Sequence, residues 1–151
     1  MGRGGRDGGR PVSGVRAAEI DRVSLVLEVD GVRALALDLA ADGGVRRAGT
    51  GEAGTAGSAY QDVLDPSVFR RVVAGIDDDL LAREGRYSDP SPDGTPASLT
   101  AVFGAGEAST GLEFRYGSRS QGPPPPLTAL VRLAVELTDA WYDEQVAAAG
   151  S

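Results

Sequence analysis

Asp30-Gly31 stands between two alternating runs, Val23-Ser-Leu-Val-Leu-Glu-Val29 and Val32-Arg-Ala-Leu-Ala-Leu-Asp-Leu39, and constrains the fold more than any other feature. A two-residue type I′ turn needs positive φ at both central positions, which Asp and Gly tolerate, and its twist matches the strands it joins. The segment therefore predicts a β-hairpin. A two-residue loop sets Glu28 opposite Arg33, a favourable cross-strand pair. The same register puts Val26 opposite Leu35, with Leu37 nearby, on a second face. The first face carries Val23, Leu25, Leu27 and Val29. Both faces are then partly apolar, whereas an antiparallel sheet with one solvated face alternates more cleanly.

Further along, Asp42-Gly43-Gly44 marks a turn, Val45-Arg-Arg-Ala48 a third strand, and residues 49–59 a flexible loop. Asp65 as N-cap and Pro66 at the first helical position open a helix. Its stripe is Val68, Phe69, Val72, Val73, Ile76 and Leu80. Gly75 weakens or bends this helix; alternatively Asp77 caps a second short one. Residues 85–97 read as Pro-, Gly- and Asp-rich loop. Ser98 to Phe103 and Gly111 to Tyr116 read as strands, and a connector over 117–126 leads to a helix from about Leu127 to Gln145. That helix buries Leu127, Leu130, Val131, Ala134, Leu137 or Thr138, and Trp141. The order β-β-β-α-β-β-α predicts a two-layer α+β fold: an antiparallel sheet of about five strands with two helices packed mainly on one face. Residues 1–20 read as a disordered Arg/Gly-rich leader, 21–146 as the single domain and 147–151 as a short tail.

Composition narrows the chemistry. The chain has no His, Cys, Lys or Asn, and all 15 basic residues are Arg; a GC-rich bacterial genome is the expected source of the Lys and Asn gaps and accounts less well for the missing His. Serine hydrolase, thiolate, zinc and Schiff-base chemistry lose their usual residues. The expectation is a protein that is not an enzyme and uses no cofactor. Arg3, Arg6, Arg10 and Arg16 against Asp7 make residues 1–16 net +3, so the rest carries −10 of the total −7. Such a body repels phosphates and anionic membranes and leaves the leader as the one nucleic-acid contact. No run approaches the ~20 apolar residues of a membrane span, and no signal-peptide pattern opens the chain, so a cytoplasmic location is expected.

Literal motifs fail on context. Gly49-Thr-Gly51-Glu-Ala-Gly54 matches the dinucleotide fingerprint but lies about ten residues ahead of the next helix. Asp89-Pro-Ser91-Pro-Asp93-Gly94 resembles half a calcium loop, with Thr100 where the bidentate Glu belongs. Ser118-Arg-Ser120-Gln-Gly122 lacks both the first Gly of a nucleophile elbow and a base. Pro123 to Pro126 read as a rigid connector. Asp77, Asp78 and Asp79 form an acidic cluster that is either a candidate divalent-metal site or a helix cap on a solvated surface. Arg115, Tyr116 and Arg119 form a polar cluster suited to a carboxylate or phosphate.

These residues point to a small acidic accessory module of regulatory or immunity type. It is expected to bind a protein partner, or a second copy as a homodimer, through Val26, Leu35 and Leu37 and the Arg115, Tyr116, Arg119 cluster. The alternative is a carboxylate- or Mg/Ca-dependent enzyme, which requires two of Glu28, Asp38, Asp77 and Glu113 to flank one cleft.

Overall fold

The Asp30-Gly31 turn has the geometry its sequence requires: Asp30 (φ 54°) and Gly31 (φ 79°) both occupy the left-handed region. They join β1 (Arg22–Val29) to β2 (Val32–Ala40). This computed structural model describes residues 15–52, 57–89, 92–120 and 122–150. The first fourteen residues of the expected leader, residues 53–56 with the end of the glycine motif, Pro90, Ser91, Gln121 and Ser151 lie outside the described residues.

Glu28 pairs with Arg33 and Val29 with Val32 as expected, and then the register shifts. Leu27 faces Leu35, Val26 faces Ala36, Leu25 faces Leu37 and Val23 faces Leu39. Ala34 is the extra residue of a β-bulge. Because side chains alternate with period two, one inserted residue sends everything beyond it to the other face. The expected Val26–Leu35 pairing is thereby corrected. Leu35 and Leu37 lie in the core beside Leu25, and Val26 looks the other way beside Ala36. The energetics favour this outcome. Burying Leu35, Leu37 and Leu39 stabilises by roughly 1.5–3 kcal/mol each, against about 0.5–1.5 kcal/mol for a disturbed ladder hydrogen bond.

The meander continues through β3 (Gly44–Ala48) and β4 (Ala59–Val63). From that edge the chain crosses through α1 (Pro66–Val73) and α2 (Asp78–Leu81) and enters the opposite edge as β5 (Gly85–Ser88). The hairpin β6 (Pro96–Ala105) and β7 (Ala108–Gly117) fills the space between, and α3 (Pro125–Ala149) returns over the helix layer. The sheet order is β4-β3-β2-β1-β6-β7-β5, antiparallel except for β5 with β7. The fold is α+β, and the expected five-stranded antiparallel sheet is corrected to a seven-stranded mixed one. Both added strands arise at edges: β5 lies in the stretch read as loop over 85–97, and β4 lies almost wholly between the 49–59 loop and the Asp65 cap, where no strand is expected. Each carries few inward apolar residues: Tyr60 packs edge-on to Tyr142, and Tyr87 stacks on Phe114 at 4.9 Å.

The expected first helix divides. The Asp65 carboxylate accepts from the Ser67 amide at 2.8 Å and opens α1, while Asp77 accepts from the Leu80 amide at 2.9 Å and opens α2. Phe69, Val72, Ile76, Leu80 and Leu81 still form one buried stripe across the break. Val15 and Ile20, read as leader, are buried in the same core, and the Ala17 amide donates to Asp78 Oδ1 at 2.9 Å. At the other end α3 runs past residue 146 to Ala149.

The shifted register has a direct thermodynamic consequence. Leu37→Ala should cost about 2–5 kcal/mol in urea denaturation, whereas Ala36→Ser should stay within about 0.5 kcal/mol of the native protein. Equal losses at both positions would contradict the bulge.

Candidate functional site

One face of the sheet is held by its helices through a buried cation. Arg47, on β3, is 1 % exposed. Its Nε donates to the Gly49 carbonyl at 3.0 Å and one terminal nitrogen donates to Thr138 Oγ1 at 3.0 Å. The same nitrogen pairs with Asp139 Oδ1 at 2.9 Å, and the guanidinium lies 4.6 Å from the centre of the Tyr142 ring. A buried charge is tolerated only when paired and hydrogen-bonded, and this one is both. Around it, the Gly49 amide donates to the Tyr142 hydroxyl, which donates to the Ser58 carbonyl. Trp141 Nε1 donates to Asp62 on β4 at 3.1 Å. The last helix thus clamps the β3–β4 edge through Thr138, Asp139, Trp141 and Tyr142. Sequence periodicity placed Thr138 or Leu137 inward; the hydrogen bond from Arg47 explains why it is Thr138.

The other face carries no helix among the described residues, and strand register arranges its side chains in rows running across the strands. Gln61, Arg46, Asp38, Ser24, Val102 and Gly111 form one row. The next is Ala48, Ala36, Val26, Thr100, Glu113 and Arg86. Beyond it Arg33, Glu28, Ser98, Arg115 and Ser88 line up near the Asp30-Gly31 turn. Small residues fill the middle, so this surface is flat. Its strand residues hold five arginines (Arg22, Arg33, Arg46, Arg86, Arg115) and three carboxylates (Glu28, Asp38, Glu113). A shallow groove of about 520 Å³ runs from β4 across the sheet to β7, with Arg22, Asp38, Arg46 and Gln61 around it.

The residues singled out from sequence disperse. Val26 is on this open face; Leu35 and Leu37 are core, at 0 % and 1 % exposure. Arg115 points to the open face and pairs with Glu113 at 2.7 Å. Tyr116 turns to the helix side and packs against the core. Arg119 sits in the turn after β7, bound to Asp93 at 3.0 Å, which also occupies a carboxylate of the calcium-like loop. Arg115 and Tyr116 both line a groove of about 580 Å³ and a second of about 640 Å³. Asp77 and Asp78 are engaged by backbone amides, and Asp78 and Asp79 lie in the first turn of α2, where the helix dipole favours acids. Among the described residues no three acidic side chains, these included, come together as a metal-holding group. Glu28, Asp38 and Glu113 share the open face, while Asp77 lies in the helix layer. Register sets the backbones of the three sheet acids about 12 Å or more apart. No described helix is long and apolar enough to cross a membrane.

Burial pushes the Tyr116 hydroxyl above the ordinary tyrosine range. The phenol then ionises more readily in the unfolded chain, so its contribution to stability is whole below about pH 10 and is lost as pH rises through the higher folded value. Urea stability of the native protein should therefore fall more steeply above about pH 10 than that of Tyr116→Phe. Parallel curves would contradict the burial. For the clamp, Arg47→Met should cost about 3 kcal/mol or more, because it strips the donors from buried carbonyls and Thr138. Asp139→Asn, at a half-exposed partner, should cost about 0–1 kcal/mol. Similar losses from both would show that the ion pair, not the buried network, dominates.

Compared with known proteins, the chain matches no family model and no curated relative.

Proposed function

We infer that this chain is a non-enzymatic partner-binding module, an accessory or regulatory protein whose docking surface is the bare face of its sheet. One observation carries the reading: α1, α2 and α3 all pack against the side of Leu25, Leu37 and Phe103, and nothing among the described residues covers the side of Val26, Ala36 and Thr100. Six strand spacings of about 4.8 Å and central strands of 8–10 residues give that face an area on the order of 800 Å². This is what one partner contributes to a standard protein interface. Its rows of Ala, Val, Ser, Thr and Gly let another backbone approach closely, and charged side chains stand among them.

The docking residues of this reading differ from those of the sequence. Val26 remains, and Ala36, Thr100 and Val102 take the places of Leu35 and Leu37. A charge at Leu35 is consequently a folding test and says nothing about binding.

The experiment compares two variants in affinity capture from the source cells, followed by identification of what is bound. Ala36→Arg with Thr100→Arg should abolish capture while leaving urea stability within about 1 kcal/mol of the native protein. Arg132→Glu, on the exposed side of α3, should leave capture intact. Loss with the α3 variant and retention with the sheet variant would overturn the assignment of the face.

A further inference from the structure

We propose that the occupant of the bare face is an acidic protein segment, laid extended across β1 to β3 with its carboxylates on Arg22 and Arg46. This rests on the docking reading above and names the chemistry of the partner. Charge is the first ground. The chain has 22 acidic residues against 15 arginines, yet the strands present five arginines against three carboxylates on this face. A net-positive face on a molecule of net charge −7 draws acidic surfaces toward it and orients them.

Availability is the second ground. Arg46 makes no ion pair within 4.0 Å among the described residues, although Asp38 and Gln61 are its cross-strand neighbours. Among the described residues Arg22 pairs with the adjacent Asp21, at 3.3 Å, and its own side chain is 53 % exposed. The Arg22 guanidinium lies over Gly104, where a Cβ would collide with it, so the glycine lets this side chain lie against the sheet beside the groove.

Spacing supplies the third. Arg22 and Arg46 stand two strands and one row apart, about 12 Å between backbones. Residues four apart in an extended chain span about 13 Å on one face. A segment carrying Glu or Asp at i and i+4 therefore meets both guanidinia, and charge-assisted hydrogen bonds to carboxylate are the strong ones available there. Nucleic acid suits the face less well. Its rows contain no aromatic side chain on which a base could stack.

The test uses fluorescence anisotropy on the full chain with three labelled probes: an extended peptide with Glu at every fourth position in a Ser/Thr background, its Lys counterpart, and a short single-stranded DNA. Amide shifts in NMR locate the binding. The Glu peptide should bind, perturb amides of β1 to β3, and weaken as salt rises past the screening of exposed charges. Arg22→Glu with Arg46→Glu should weaken it by about tenfold or more, while Arg71→Glu on the exposed side of α1 should leave it unchanged. Circular dichroism melting confirms that each variant is folded. Preference for the Lys peptide or for DNA, or equal binding by the double variant, overturns the proposal. Self-association that protects the same amides and is released by Arg46→Glu makes a second copy the occupant, which overturns the acidic partner and leaves the docking face standing. Binding of the Glu peptide to helix-side amides overturns both.

Discussion

A single extra residue in β2 decides what this protein buries and what it shows. With Ala34 bulged out, the Asp30-Gly31 turn keeps its own pairing of Glu28 with Arg33 while Leu35, Leu37 and Leu39 align with Leu27, Leu25 and Val23. Without the bulge those leucines would share a face with Val26 and Glu28, and the core would lose three large side chains. The bulge therefore makes two surfaces at once. One is a leucine-rich underside that the helices must cover. The other is a flat row of small residues that nothing within the described chain covers.

Arg47 then fixes which layer goes where. An arginine among leucines demands partners, and α3 supplies them through Thr138, Asp139 and the ring of Tyr142. Packing alone tolerates some sliding of a long helix over a sheet. A guanidinium with directed hydrogen bonds to Gly49 and Thr138 does not, because every displaced bond leaves a buried polar group unmet. The clamp and the bare face are thus two sides of one arrangement. The last helix is committed to the β3–β4 edge on the core side, and the arginines of the opposite side, Arg46 next along the chain among them, stay in solvent. Alternation along Val45, Arg46 and Arg47 sends neighbouring charges to opposite fates.

Much of this was legible in the residues. The hairpin turn, the Asp65-Pro66 helix start, the alternative cap at Asp77 and the inward stripe of the last helix each follow from a local rule whose residues lie close together. The rest depended on partners far along the chain. A bulge is invisible to alternation, because both registers of β2 look equally regular until Leu35 has to choose a face. Edge strands β4 and β5 owe their existence to ladder hydrogen bonds and to Tyr142 and Phe114, residues that lie 82 and 27 positions from Tyr60 and Tyr87. Arg47 reads as surface in sequence, since only the arrival of α3 makes its burial affordable. The candidate cluster of Arg115, Tyr116 and Arg119 came apart because strand alternation and a turn separate near neighbours. The surface now proposed joins residues from all seven strands.

Both surfaces depend on which side chains of β2 face out, and the absence of cysteine from the chain makes that directly measurable. Single cysteines placed in turn at Leu35, Ala36, Leu37 and Asp38 can be challenged with a thiol reagent in the folded protein, with stability checked for each. The bulged register predicts rapid labelling at positions 36 and 38 and protection at 35 and 37 that is lost only on unfolding. Rapid labelling at 35 and 37 with protection at 36 and 38 would place the leucines on the open face and contradict it.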